Sequence, residues 1–113
     1  MDLVFFESPA FTRHIDTYLH DDEYGDLQKF LLKNPEAGDV IQGTGGFRKL
    51  RWPDSKRSKG KRGGLRIIYY YFESSKQLYF MMISNKNEAT DLTAEQKKIL
   101  KSAIEHEKTA RQK

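Results

Sequence analysis

The chain has 113 residues, 37% of them hydrophobic and 12% aromatic, enough for one modest core and too many for a disordered tail. The absence of cysteine excludes disulfides and cysteine-based zinc sites and fits a reducing compartment, and no apolar run approaches the ~20 residues that span a bilayer. The net charge of +4 and pI of about 9.3 point to anionic partners, and the charge is gathered: residues 48–66 hold nine of the 20 Lys and Arg but one of the 16 acids, so this stretch carries +8 and the remainder −4.

The start, MDLVFFESPAFTRH, has an early acid and no basic region before its short apolar run, so it does not read as a secretory signal. A cytoplasmic protein with no membrane association is expected. Residues 3–6 suit a buried strand. Ser8 then stands as an N-cap with Pro9 at the first helical position, where its missing N–H is harmless. Phe11, Ile15, Tyr18 and Leu19 recur on one helical face. Asp21 and Asp22 are expected to cap a second helix, with Tyr24, Leu27, Phe30 and Leu31 as its apolar face and Asn34-Pro35 as its stop. Two helices so closely joined predict an antiparallel hairpin.

GDVIQGTGG follows at 38–46, read as a flexible connector anchored by Val40 and Ile41. Residues 47–52 alternate, placing Arg48, Leu50 and Trp52 on one side and Phe47, Lys49 and Arg51 on the other. A basic loop covers 53–64. Residues 65–72 are rich in β-branched and aromatic types and predict a central strand; 77–84 return as its hairpin partner across ESSK. Thr93 and Gln96 fit a capping box, and Ile99, Leu100, Ala103 and Ile104 mark one face of a last helix whose end, EKTARQK, reads as frayed. The order predicts a single domain over 1–113 of the α+β class, a strand and helical hairpin followed by an antiparallel sheet and a C-terminal helix.

GTGGFR leads into a strand, so it lacks the helix N-terminus of a phosphate-binding loop. His14, His20 and His106 have no metal-ligand spacing, and neither a metal nor a cofactor is expected. The cations remain. Lys49 and Arg51 share a strand face, Arg66 opens the next strand, and Lys86 follows the last one; together they would form a cationic site able to hold phosphates and to stabilise the charge of a pentacoordinate phosphorus. Arg48, Lys56, Arg57, Lys59, Lys61 and Arg62 are the candidate RNA-gripping residues around it. Tyr69 and Tyr71 are expected in the core, while Tyr70 and Tyr79 are candidates for the cationic face. A non-catalytic RNA-binding or ribosome-associated module is the alternative to an enzyme.

Three segments, GDVIQGTGGFRKLR, KGKRGGLRIIYYY and NKNEATDLT, in this order and spacing resemble the RelE/HigB family of bacterial toxins, closest to its HigB-like branch, over about residues 38–93. The resemblance implies a fold like that of small microbial ribonucleases and a metal-independent endoribonuclease that enters the ribosomal A site. There it cuts messenger RNA by attack of the RNA's own 2′-hydroxyl. It further implies, as partners, the ribosome and its message, a HigA-like helix-turn-helix antitoxin, and operator DNA reached through the toxin–antitoxin complex. Carried over by position, Lys49 and Arg51 match the family's strand cations, Arg66 its phosphate-stabilising arginine, and Lys86 falls in the segment supplying the last basic residue. Lys49 and Lys86 are the first candidates for general acid and base. The chain departs from some members in having Asn87 where they carry an arginine and Thr93 where they carry a tyrosine.

Overall fold

A computed structural model describes residues 3–57, 64–85 and 92–111. The fold is α+β. The chain begins with strand β1 (Val4–Glu7) and helices α1 (Pro9–Tyr18) and α2 (Asp21–Lys33). Strands β2 (Asp39–Val40) and β3 (Arg48–Trp52), a 3-10 turn at Ser55–Arg57, strands β4 (Leu65–Phe72) and β5 (Gln77–Asn85), and helix α3 (Ala94–Arg111) complete it. The strands form one sheet in the order β1-β5-β4-β3-β2. The β3–β4 and β4–β5 pairs are antiparallel, as expected; β2, within the stretch read as a connector, also pairs antiparallel with β3, whereas β1 lies parallel to β5. Hydrophobic periodicity reports that a segment is a strand but not its direction; the direction follows from the helical crossover that carries the chain from β1 over one face of the sheet.

Ser8 joins β1, α1 and β5. Its hydroxyl accepts from the Phe11 amide as the N-cap of α1 and donates to the Met81 carbonyl at 2.7 Å. Met81 is the extra residue of a bulge, since Ile68 pairs with Met82 and Tyr69 with Phe80; the Ser8 hydroxyl satisfies its carbonyl. Helix α2 is capped differently from expectation. His20 is the N-cap, with the Glu23 carboxylate accepting from its amide at 3.0 Å, and Asp21 and Asp22 fall inside the first turn, where the positive end of the helix dipole favours their charge.

The sheet buries both faces. On one, Leu50, Leu65, Ile67, Tyr69, Leu78, Phe80 and Ile83 pack beneath Phe11, Ile15, Tyr18 and Leu19 from α1 and its end and Leu27 and Leu31 from α2. The Phe11 and Phe80 rings stack at 4.7 Å between centroids. On the other, Phe47, Ile68, Tyr70 and Phe72 receive Leu100 and Ile104 of α3. The expected apolar face of α3 is half right. Ile99 is 62% exposed and Ala103 is exposed, because the helix is turned so that Lys97 and Lys108 flank Leu100 and Ile104. Lys108 places its ammonium 5.1 Å from the centre of the Tyr70 ring. The helix also continues to Arg111 through most of the stretch read as frayed.

Residues 41–47 form a closed turn rather than a loose connector. The Thr44 hydroxyl donates to the Ile41 carbonyl at 2.6 Å and accepts from the Phe47 amide at 3.1 Å, and the Ile41 amide donates to the Phe47 carbonyl. Gly45 and Gly46 have φ of 80° and 118°; a Cβ on either would stand 3.0 Å from a side-chain carbon, of Ile104 and Tyr70 respectively. Only glycine combines that backbone with so close an approach. Ile41 packs against the α3-side core, but Val40, expected as a second anchor, is 52% exposed on the edge strand.

Candidate nucleic-acid interface

The register of β3 and β4 decides where the cations go. Arg51 lies directly opposite Arg66, and Lys49 opposite Ile68. Directly opposed residues share a face, and residues two apart on a strand share it too. Lys49, Arg51 and Arg66 therefore stand together on the α3 side of the sheet. Arg51 is exposed, and Lys49 and Arg66 are half-buried. Arg66 bends back to donate to the Leu65 carbonyl at 3.3 Å. Ser84 of β5 is opposite Arg66 and extends the same face. With Cβ atoms roughly 5 Å apart across a pair, two guanidinium groups can reach one phosphate, each by paired N–H donors.

Among the described strand residues, one acid borders this cluster. Asp39 of β2 is directly opposite Lys49, and it is exposed. Among the described strand residues on this face it is the one carboxylate; Glu7 belongs to the other face, where it accepts from the hydroxyls of Thr12 and Tyr24.

The expected RNA-gripping residues divide. Arg48 points to the opposite face, as its alternation with Leu50 and Trp52 requires. There it donates to the Glu36 and Gly38 carbonyls at 3.1 and 2.8 Å and pairs with the Glu36 carboxylate at 3.3 Å. Lys56 donates to the Asp16 carbonyl of α1 at 2.6 Å. Arg57 bonds the fully buried Asp54 carboxylate at 3.2 Å and sits 5.4 Å over the Tyr18 ring. Ser55 donates to Glu23 of α2. The start of the basic loop is thus fastened to the helical hairpin, and these three cations are not brought to the cluster. Lys59, Lys61, Arg62 and Lys86 lie outside the described residues.

The tyrosines follow the same parity. Tyr69 is fully buried on the helical-hairpin side, where its hydroxyl donates to the Pro35 carbonyl and accepts from the Gly38 amide, both at 2.9 Å. Burial pushes its phenol above the ordinary tyrosine range. Tyr71 is half-buried against the same core. Tyr70 shares the cationic face, but α3 and Phe47 cover it, leaving 8% exposed. Tyr79 is half-buried beside it. The three histidines are all exposed. No helix among the described residues is long and apolar enough to cross a membrane. Searched against models of known families, the sequence matches none.

Sequence reasoning did not identify the Arg51–Arg66 opposition, the position of Ser84, or Asp39 beside Lys49. The first depends on the register between β3 and β4, the second on a β4–β5 hairpin with a bulge in it, and the third on a two-residue strand followed by a glycine-rich turn. The attachment of Lys56 and Arg57 to α1 had no local signal, since their partners there, the Asp16 carbonyl and the Tyr18 ring, are distant in the sequence.

Proposed function

We propose that this protein is a ribosome-dependent messenger-RNA endoribonuclease, the toxin of a toxin–antitoxin pair, acting in the cytoplasm. The observation that carries the reading is the direct opposition of Arg51 and Arg66 with Lys49 two residues along. Such a cluster concentrates guanidinium and ammonium donors on one sheet face, an arrangement that suits the negative charge of a polyanion. An RNA phosphate supplies that charge. The same donors stabilise the additional negative charge that develops as phosphorus becomes pentacoordinate, so they hold the transition state more tightly than the substrate. The 2′-hydroxyl next to the bound phosphate is the nucleophile, giving a cyclic phosphate and a 5′-hydroxyl end. Lys49 and Lys86 are the lysines offered for proton transfer.

The resemblance to RelE/HigB toxins adds the ribosome as the device that presents the message. Positioning by a second body explains how a site with few groups can suffice, because orientation alone contributes several kcal/mol to such reactions. A HigA-like helix-turn-helix antitoxin would neutralise the toxin and carry the complex to its operator.

Induced expression without antitoxin is expected to arrest translation within minutes, and Arg66→Ala to relieve the arrest with the protein still folded. Salt-sensitive RNA binding without arrest or cleavage would instead assign the chain to non-catalytic RNA-binding modules.

A further inference from the structure

We propose that Asp39 is the general base of this site, an assignment that rests on the ribonuclease reading above. A 2′-hydroxyl must lose its proton as it attacks, and a cluster of guanidinium and ammonium groups offers donors rather than acceptors. The described strand residues on the cationic face include one carboxylate, and it belongs to Asp39. The register sets it opposite Lys49, and Arg51 is the diagonal neighbour on the same face, at roughly 7–8 Å between such positions. A ribose attached to a phosphate held by Arg51 and Arg66 spans that interval. Asp39 is exposed on the edge strand β2, and its carboxylate is engaged in no hydrogen bond or ion pair among the described residues, so it can turn toward a bound sugar.

The step balances within the site. The 2′-O–H proton passes to the Asp39 carboxylate as the 2′-oxygen bonds to phosphorus. The bond from phosphorus to the 5′-oxygen breaks, and its electron pair leaves with that oxygen, which takes a proton from the Lys49 ammonium. The products are a 2′,3′-cyclic phosphate and a 5′-hydroxyl. Proton transfer through solvent from the Asp39 carboxylic acid to the Lys49 amine restores both groups.

The test is cleavage of a message in programmed ribosomes, using one RNA with the natural 5′-oxygen at the scissile bond and one with sulfur there. The thiolate leaves without protonation, so sulfur compensates for a missing acid but not for a missing base. On the oxygen substrate, Asp39→Asn and Lys49→Ala should each lower the cleavage rate by about 10²–10⁴-fold. For Asp39→Asn, affinity and unfolding midpoint should stay close to wild type, and Asp39→Glu should retain part of the rate. On the sulfur substrate Lys49→Ala should recover and Asp39→Asn should not. Cleavage by Asp39→Asn within about threefold of wild type, or its recovery on the sulfur substrate, overturns the assignment and leaves the ribonuclease reading standing. If the wild-type protein cleaves neither substrate, the ribonuclease reading falls and the assignment with it.

Discussion

Tyr69 shows how much a single hydroxyl can carry. It closes the turn after α2 by bonding Pro35 and Gly38 at once, and Arg48 ties down the same turn from beside it. Tyr69→Phe leaves a buried Gly38 amide without its acceptor and is expected to lower stability by about 1–3 kcal/mol, read from a shifted urea midpoint. Gly38→Ala should destabilise by a similar ~1–3 kcal/mol, because its Cβ would lie 2.9 Å from the Tyr69 ring and 3.1 Å from the Lys49 carbonyl. The raised phenol of Tyr69, due first to burial, has a pH consequence. Between the ordinary tyrosine value near 10 and the higher folded value, the native state holds the proton and the unfolded state does not. The stability it contributes is therefore full below pH ~10 and is lost as pH rises through the folded value. Alkaline denaturation followed in wild type and Tyr69→Phe should show a shallower loss in the variant. Arg48 separates structure from function. Its alanine variant should lower stability by about 1–2 kcal/mol while leaving RNA affinity within about twofold of wild type.

Among the elements, β3 is informative because its two sides have opposite duties. Leu50 and Arg48 fasten it to the helical-hairpin side, and Lys49 and Arg51 present charge on the other. Arg51→Ala relieves the opposition to Arg66, so it is expected to leave stability unchanged or raise it by up to about 0.5 kcal/mol while RNA binding weakens. A thermal melt paired with a binding isotherm checks both halves; a destabilised Arg51→Ala protein would count against a cluster maintained for function. Among the described residues, helix α3 is held chiefly by Leu100 and Ile104 on Phe47, Ile68 and Tyr70. Ile104→Ala should cost about 2–4 kcal/mol and increase hydrogen exchange in α3 first. Most of these elements were legible in the sequence. The caps at Ser8 and Thr93, the hairpin of β4 and β5, and the two faces of β3 follow from spacing and residue type. The rotation of α3 was not legible: Ile99 and Ala103 satisfy the period as well as Lys97 and Lys108 do, and the choice is made by the glycine turn at 43–46 and the Tyr70 ring against which the helix settles.

Across the whole molecule, charge is sorted by the sheet. One face meets the helical hairpin, which also anchors Lys56 and Arg57; the other carries α3 together with Lys49, Arg51 and Arg66. The candidate site was legible as a set of cations because alternation along β3 and the position of Arg66 after Gly63-Gly64 are local facts. Its acid was not, because Asp39 joins the site only through a pairing of β2 with β3 that no periodic pattern announces. Single-stranded RNA binding should weaken with salt, and neutralising each of Lys49, Arg51 and Arg66 should reduce the slope of log affinity against log salt by about 0.7. Arg48→Ala should leave that slope unchanged. The central claim is that the cationic face cuts messages rather than merely holding them. The most direct measurement is to map the 5′ ends of cellular messages after a few minutes of expression, wild type against Arg66→Ala at matched protein levels. The account predicts new 5′-hydroxyl ends within translated regions for wild type and their loss in the variant. Identical end profiles for the two proteins would contradict it.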